Sequence, residues 1–262
     1  MNFSLPKPPA DALTRFSSRA EVYVRTRPSY PSEAIDAVFD GLRPVLNVSA
    51  ADIGAGTGIA SRLLAERGVR VTAVEPNEAM RSAAKPDPDG RITWSTGTGE
   101  ATGLADHSQD LVLCAQAFHW LHADRALAEF QRILKPGGRV ALLWNVQDST
   151  DPTTNEYREV LARHATEPPR SPSFAQRPPR PLKDAAGWID AQLLTFANTQ
   201  RLDIDGLLGR ALSASYSPQQ GDARLNMEQD LRSLFETRAL NGTVTLRYQT
   251  EVHLASSEAH TR

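Results

Sequence analysis

Residues 48–58 read V-S-A-A-D-I-G-A-G-T-G: small and β-branched residues, an acid at position 52, then glycine at every second position. The apolar run suits a buried strand. Lacking Cβ atoms, Gly54, Gly56 and Gly58 permit a turn at positive φ and let a ligand approach the backbone closely. Ile59, Leu63 and Leu64 then recur at helical spacing over residues 59–67, and Gly68 stands where a helix C′ residue would. A second apolar run, residues 69–74, ends in Glu75. In doubly wound sheets about twenty residues separate a glycine turn from an acid that accepts hydrogen bonds from ribose hydroxyls, and Glu75 stands at that interval. A tight surface turn ahead of an ordinary helix would use the same glycines. Asp52 and Glu75 weigh against that simpler account.

The spacing is G-x-G-x-G, whereas the dinucleotide fingerprint is G-x-G-x-x-G. Asp52 also places a carboxylate where a pyrophosphate would be repelled and a cation welcomed. S-Adenosylmethionine carries an ammonium and a sulfonium and has no phosphate. At this point the residues resemble motif I of the class I S-adenosylmethionine-dependent methyltransferases. The next segments agree: a strand over 91–95, Gly97-Thr98-Gly99-Glu100, Leu104-Ala105-Asp106 and a strand over 110–115. Then come A-Q-A-F-H-W (115–120), a helix with Ala126, Leu127, Phe130, Ile133 and Leu134 on its apolar face, and Lys135-Pro136-Gly137-Gly138, which ends it. The strand 140–144 leaves Asn145 at its carboxyl end. Together these resemble the type 11 methyltransferase family. Within it, Y-x-x-x-R-P-x-Y-P (23–31) and His119-Trp120 resemble the branch similar to trans-aconitate methyltransferases.

The resemblance implies a Rossmann-like α/β fold: a seven-stranded, mostly parallel sheet with an antiparallel last strand and helices on both faces. It assigns S-adenosyl-L-methionine as cofactor, bound by Asp52, Gly54, Ala55, Gly56, Thr57, Gly58, Glu75, Pro76, Thr98, Gly99, Glu100, Gln116 and Ala117. Tyr23 and Arg27 would join from an N-terminal lid. Thr98 and Gly99 would border the adenine, Thr98 standing where the family often has an Asp. Glu100 suits a loop-fixing acceptor as well as a ligand contact. The acceptor pocket would lie above the fourth and fifth strands, with His119, Trp120, Trp144, Asn145 and Tyr216 as substrate-binding candidates.

Methyl transfer to a nucleophile gains most from alignment and exclusion of water. A carboxylic acid acceptor is already ionised and needs no base. An alcohol, phenol or ammonium would need one, for which His119 is the candidate; the resemblance makes Tyr23, facing the sulfonium or the acceptor from the lid, the other catalytic candidate. His119 equally suits a helix-start residue bonded to backbone, Trp120 a core aromatic, Tyr23 a packing residue under the lid and Arg27 a solvated one. The same motifs serve a protein that binds the cofactor without transfer, as a sensor or partner subunit. A nicotinamide oxidoreductase is disfavoured by the glycine spacing and Asp52.

Composition bounds the rest. The 262 residues carry a net charge of −2 and one cysteine, Cys114, in an apolar run where a small core residue is expected. No basic block recommends nucleic acid, no apolar run approaches a membrane span, and no residue cluster has metal-ligand spacing. A cytoplasmic protein acting on a small molecule, without metal, membrane or nucleic-acid partner, is expected, as monomer or homodimer. Four parts are expected: a lid element over 1–33, the cofactor-binding core over 34–148, a proline-rich cover over 149–187, and 188–262 completing the sheet. In the lid, Ser18 and Glu21 have capping-box spacing, and Ser32 is expected to cap a helix over 34–42. Downstream, a helix is expected over 156–165, irregular chain over 167–181, a helix turn over 188–194 and a strand over 195–202. Helices over 207–212 and 226–240 and a hairpin-type turn at Asn241-Gly242 precede a strand over 243–254.

Overall fold

The computed structural model describes residues 26–42, 47–167, 182–183 and 185–258. Tyr23, the Ser18–Glu21 spacing and the prolines at 168, 169, 172, 178, 179 and 181 lie outside the described residues. Seven strands form one sheet: β1 (Ser49–Ile53), β2 (Arg70–Val74), β3 (Ile92–Ser95), β4 (Gln109–Ala115), β5 (Leu134–Gln147), β6 (Trp188–Leu202) and β7 (Val244–Ser257). Their spatial order is β3-β2-β1-β4-β5-β7-β6. Pairings from β3 through β5 are parallel, and β7 runs antiparallel to both β5 and β6. This is the expected fold. The order reverses between β1 and β4, so their carboxyl ends diverge into the crevice where open α/β sheets bind ligands.

Strand alternation sorts side chains onto two faces. Ile53, Val112, Cys114, Leu142 and Trp144 pack with Phe118 and with Phe130 and Ile133 of α4 (Ala123–Ile133). Ala50, Leu111, Leu113, Ala141 and Leu143 pack with Ile35 of α1 (Ser32–Ala37) and Leu64 of α2 (Ile59–Ala65). Asp52 shares the α2 face with Ala50. A third cluster joins α5 (Pro152–His164), α6 (Ile204–Leu212) and α7 (Gly221–Arg238) over the outer ends of β6 and β7, around Tyr157, Leu207, Met227, Leu231 and Leu246. A short α3 (Glu78–Ser82) links β2 to β3.

Several boundaries differ from expectation. α1 ends at Ala37 instead of 42, with Gly41 in the left-handed region (φ 77°), and Ser32 is its first residue, the N-cap being Pro31. Residues 188–194 belong to β6: pairing with β7 outweighs the weak helical pattern, and a break in register between Ile189 and Gln192 accommodates Asp190 at φ 55°. β5 starts directly after α4 and runs three residues past 144, so Asn145 lies inside the strand opposite Thr250. α7 begins five residues before 226. Asn241 and Gly242, both at positive φ, make a tight turn closed by Leu240 and Thr243, but it joins α7 to β7 and no hairpin forms.

The N-terminal strap crosses the carboxyl edge of the sheet. The Ser29 carbonyl accepts from Asn145 Nδ2 at 3.1 Å and Asn198 Nδ2 at 2.8 Å, and the Thr26 carbonyl accepts from Gln200 Nε2 at 2.8 Å. No helix among the described residues is long and apolar enough to cross a membrane.

Candidate functional site

A cavity of about 430 Å³ opens at the carboxyl ends of β1, β2 and β4, a size that suits a nucleoside-type ligand. The glycine turn forms one wall. Gly54 needs its lack of a side chain twice: φ is 67°, and a Cβ would stand 2.5 Å from the Ala117 Cβ. The Gly54 and Ala55 amides donate to the Val74 carbonyl at 2.9 and 3.1 Å, tying the turn to the end of β2.

Glu75 closes that wall. Its Oε2 accepts from the Gly56 amide at 2.9 Å and its Oε1 from the Asn77 amide at 2.8 Å. Both oxygens are held in place, and each keeps a further lone pair for a ligand hydroxyl. Burial raises the Glu75 pKa, while those two amides pull it down.

Asp52 is more exposed to the cost of burial. Only 1% of it is accessible, yet it lines the cavity. Ser61 Oγ, on α2, donates to its Oδ2 at 2.5 Å, and its Oδ1 has no partner. Desolvation pushes its pKa up to about 6, opposed by Ser61 and increased by the Glu75 charge. Thr57 Oγ1 is likewise buried without a partner beside the turn. A bare carboxylate oxygen and a bare hydroxyl suit a ligand with an ammonium and polar atoms.

The remaining wall follows β3 and β4. Thr98 bridges Ala101, and Gly99 lies against Leu121, whose Cδ1 would be 2.5 Å from a Cβ placed there. Glu100 lines the cavity and also fixes a loop: its Oε1 accepts from the His122 amide at 2.8 Å. Gln116 adopts φ 57°, strained for a non-glycine residue, and turns the chain from β4 into a short 3₁₀ segment, Phe118–Trp120. Gln116, Ala117 and Trp120 line the cavity, as do Thr57, Pro76 and Ala55; Gly58 is placed one residue beyond, as the N-cap of α2.

Other candidates stand elsewhere. His119 is outside this lining. Trp144 Nε1 donates to His119 Nδ1 at 3.4 Å, which leaves the hydrogen of the neutral ring on Nε2. Burial and then the nearby Arg27 charge push the His119 pKa down to about 4. The ring is therefore neutral near pH 7, with Nδ1 facing the Trp144 N–H. Trp144 itself is a core residue, edge-on to Phe118 and His253. Asn145 is occupied: its Oδ1 accepts from Thr250 Oγ1 at 2.5 Å and Asn198 Nδ2 at 3.1 Å, while its Nδ2 holds the strap. Arg27 does not line the cavity; its Nη2 donates to the Ser213 carbonyl at 2.7 Å, beyond α6. Tyr216 packs against the α5–α7 cluster, where its carbonyl accepts from Thr166. Cys114 is fully buried, with a thiol pKa raised well above its ordinary value by burial and Asp52.

Tyr30, Asn77, Met80, Leu121 and Arg125 also line the cavity, and sequence reasoning missed them. Asn77 had a readable signal, as a capping residue directly after Glu75-Pro76; its Oδ1 accepts from the Met80 amide at 3.3 Å. Tyr30 arrives only because the strap crosses the sheet. Among the described residues, no three His, Cys, Asp or Glu side chains converge as metal ligands.

Residues 51–142 match a family described as Methyltransferase domain. An uncharacterized methyltransferase of Mycobacterium tuberculosis is 41% identical over 156 residues, 58% of this chain and 61% of that protein. The match thus spans about three-fifths of that relative's length. A methyltransferase-like protein of Schizosaccharomyces pombe, also uncharacterized, is 29% identical over 254 residues, 94% of this chain and 96% of the relative. A solved structure described as a candidate type II methyltransferase from Anaeromyxobacter dehalogenans superposes with a TM-score of 0.55 at 26% identity, covering 89% of this chain and 98% of that one. Phosphoethanolamine N-methyltransferase 2 of Haemonchus contortus, solved with S-adenosyl-L-methionine, shares the fold at 15% identity and a TM-score of 0.55, over 95% of this chain and 59% of that one. Residues 51–142 thus match a methyltransferase domain, and the seven-stranded sheet that contains them has the fold of these solved methyltransferase structures.

Proposed function

We propose that this protein is an S-adenosylmethionine-dependent methyltransferase acting on a small-molecule acceptor, and that the acceptor is a carboxylic acid. The observation that carries the cofactor assignment is the buried, unpartnered Oδ1 of Asp52 at the wall of a cavity shared with Glu75. A cation would give that oxygen its partner and hold the acid ionised. Glu75 would accept from the ribose hydroxyls, Thr98 and Gly99 would border the adenine, and the Gly54–Gly58 turn would keep the backbone low enough for both. When bound, this cofactor supplies an electrophilic methyl on a sulfonium sulfur, which a nucleophile takes while the carbon–sulfur electron pair stays on sulfur.

The chain's own contribution is placement and exclusion of water. A neutral His119 with its hydrogen on Nε2 would donate to an acceptor oxygen and orient it, with no proton to remove from a carboxylate. Trp120 would close the apolar side. The Thr26–Ser29 strap, clamped by Asn145, Asn198 and Gln200, would cover the junction between cofactor and acceptor.

Calorimetric titration with S-adenosylhomocysteine, with NADH as control, tests the cofactor assignment. Micromolar binding of the former alone is expected; binding of NADH alone would replace this reading with a dinucleotide enzyme. Transfer of labelled methyl from S-adenosylmethionine to a panel of carboxylic acids, alcohols and amines tests the acceptor. Turnover of amines or alcohols but no acid would overturn the acceptor assignment, and binding without any transfer would favour a sensor or partner subunit.

A further inference from the structure

A second cavity, of about 300 Å³, opens near the start of β5, at the other edge of the sheet from the cofactor crevice. Arg139 of β5, Leu254 and Ser256 of β7, and Asp190 and Gln192 of β6 line it. Arg139 pairs with Ser256, and Leu254, two residues back, pairs with Gln192. Residues paired across strands, and residues two apart along one, point the same way, so these four share a face. It is the α1 face, beyond the end of that helix, where Arg139 Nη1 donates to the Asp40 carbonyl.

The polar groups of this cavity do not satisfy one another. Among the described residues Arg139 forms no ion pair, and the side chains of Asp190, Gln192 and Ser256 form no hydrogen bond. Asp190 also holds a strained backbone: its φ of 55° lies in the left-handed region, which Asp tolerates better than most residues. The β6–β7 register breaks between Ile189 and Gln192, around it. A bulge that only ended the strand would explain both. Pairing resumes past it, however, with Ile189 opposite Ser256 and Trp188 opposite Ser257. The break therefore lies inside the ladder, where a bulge re-aims one side chain. That side chain is a carboxylate, and it shares the cavity with a guanidinium.

Arg139 and Asp190 flank β7 from opposite sides, two strand spacings or about 10 Å apart at the backbone. A lone anion would suit Arg139 and be repelled by Asp190, and a lone cation the reverse. A molecule carrying both charges answers both. The Ser256 hydroxyl and the Gln192 carboxamide add donors and acceptors, and Leu254 gives the floor an apolar patch.

We infer that this cavity is a second binding site, away from the cofactor crevice, for a small zwitterion: an α-amino acid with an apolar side chain, its carboxylate on Arg139 and its ammonium on Asp190. The inference is independent of the methyltransferase reading.

Calorimetric titration of the full chain with L-leucine, in saturating S-adenosylhomocysteine, tests it. 4-Methylpentanoate, which lacks the ammonium, and isopentylamine, which lacks the carboxylate, form the comparison arms. Leucine is expected to bind, and each fragment to bind about tenfold more weakly, the scale of a lost charge-assisted hydrogen bond. Asp190→Asn, which keeps a residue tolerant of positive φ, and Arg139→Gln should each weaken leucine binding by a similar factor. Both should leave S-adenosylhomocysteine affinity within about threefold. Should Arg139→Gln not fold for want of its bond to Asp40, Asp190→Asn decides. No leucine binding, a fragment that matches leucine, or unchanged binding in the variants would overturn the inference. So would competition between leucine and S-adenosylhomocysteine, which would put the amino acid in the cofactor cavity. Failure of the methyltransferase reading would appear separately, as absent S-adenosylhomocysteine binding with leucine binding and its dependence on Asp190 intact.

Discussion

Two regions of the molecule are built from opposite materials. Around β1 and β2 the site is made of neighbours in sequence: Asp52, the glycine turn and Glu75 fall within twenty-four residues, and their backbone amides satisfy one another's acceptors. Over β6 and β7 the contacts join residues distant in sequence: Arg27 of the strap bonds to the Ser213 carbonyl, and Tyr157 of α5 packs with Leu207 of α6 and Met227 of α7. The first region carries buried acids, and the second a buried guanidinium, Arg210. Local geometry can hold a carboxylate beside a helix start, whereas a buried guanidinium needs a chamber that only tertiary packing supplies.

Blocking the acidic end should have the largest effect. In Gly54→Val the new Cβ meets Ala117 and the backbone cannot keep φ 67° without strain, so cofactor binding should fall by at least a hundredfold in calorimetry. A variant that still binds would show that the turn is not in contact with the cofactor. Glu75→Ala should weaken binding by about 1–3 kcal/mol, the scale of charge-assisted hydrogen bonds; unchanged affinity would remove the acid from the site.

Asp52 and His119 tilt stability in opposite directions over nearly the same pH range. The folded pKa of Asp52, about 6, lies above its ordinary value of 3.8, so its stability contribution is complete below 3.8 and is lost as pH rises through about 6. Asp52→Asn, which cannot ionise, should melt higher than the parent at pH 8, by up to about 3 kcal/mol for a two-unit shift, with the advantage gone near pH 4. It should bind S-adenosylmethionine less well at both. His119 is the reverse: with a folded pKa of about 4 against 6.5, its contribution is present above 6.5 and lost as pH falls toward 4. His119→Gln should therefore flatten the acid limb of the stability curve and lower turnover, with cofactor affinity nearly intact. Loss of affinity instead would assign His119 to the cofactor end.

The smallest effect belongs to Thr98. It lines the cavity through a loop fixed by its bridge to Ala101, so Thr98→Ala should change cofactor affinity by no more than about 0.5 kcal/mol. A larger loss would mean that the hydroxyl takes over the contact an Asp often makes in the family it resembles.

This asymmetry explains what could be read in the chain. The glycine turn and Glu75 were legible because each is a local pattern with a single geometric solution, whereas the seven-stranded sheet was expected only through the family resemblance. Asn145 was misread because strand length is set by the partner: β7 extends β5 past the residue and binds its amide into the strap. The sequence gives no sign that Trp144, twenty-five residues on, would bond to Nδ1 of His119. Residues 188–194 read as a helix turn because the pairing that makes them a strand lies some sixty residues away, in β7. Arg210 and Tyr157 belong to no motif, and only the bare Arg210 Nε and Tyr157 hydroxyl mark them.

The central claim is that Asp52 receives the cationic end of the cofactor. Titrating S-adenosylmethionine into the protein in buffers of different ionisation enthalpy, from pH 5 to pH 8, measures the protons released on binding. Since the free acid has a pKa of about 6 and a cation would lower it, release should be substantial near pH 5.5, vanish by pH 8 and be absent in Asp52→Asn. Binding with no proton release at pH 5.5, or the same release in the variant, would contradict it.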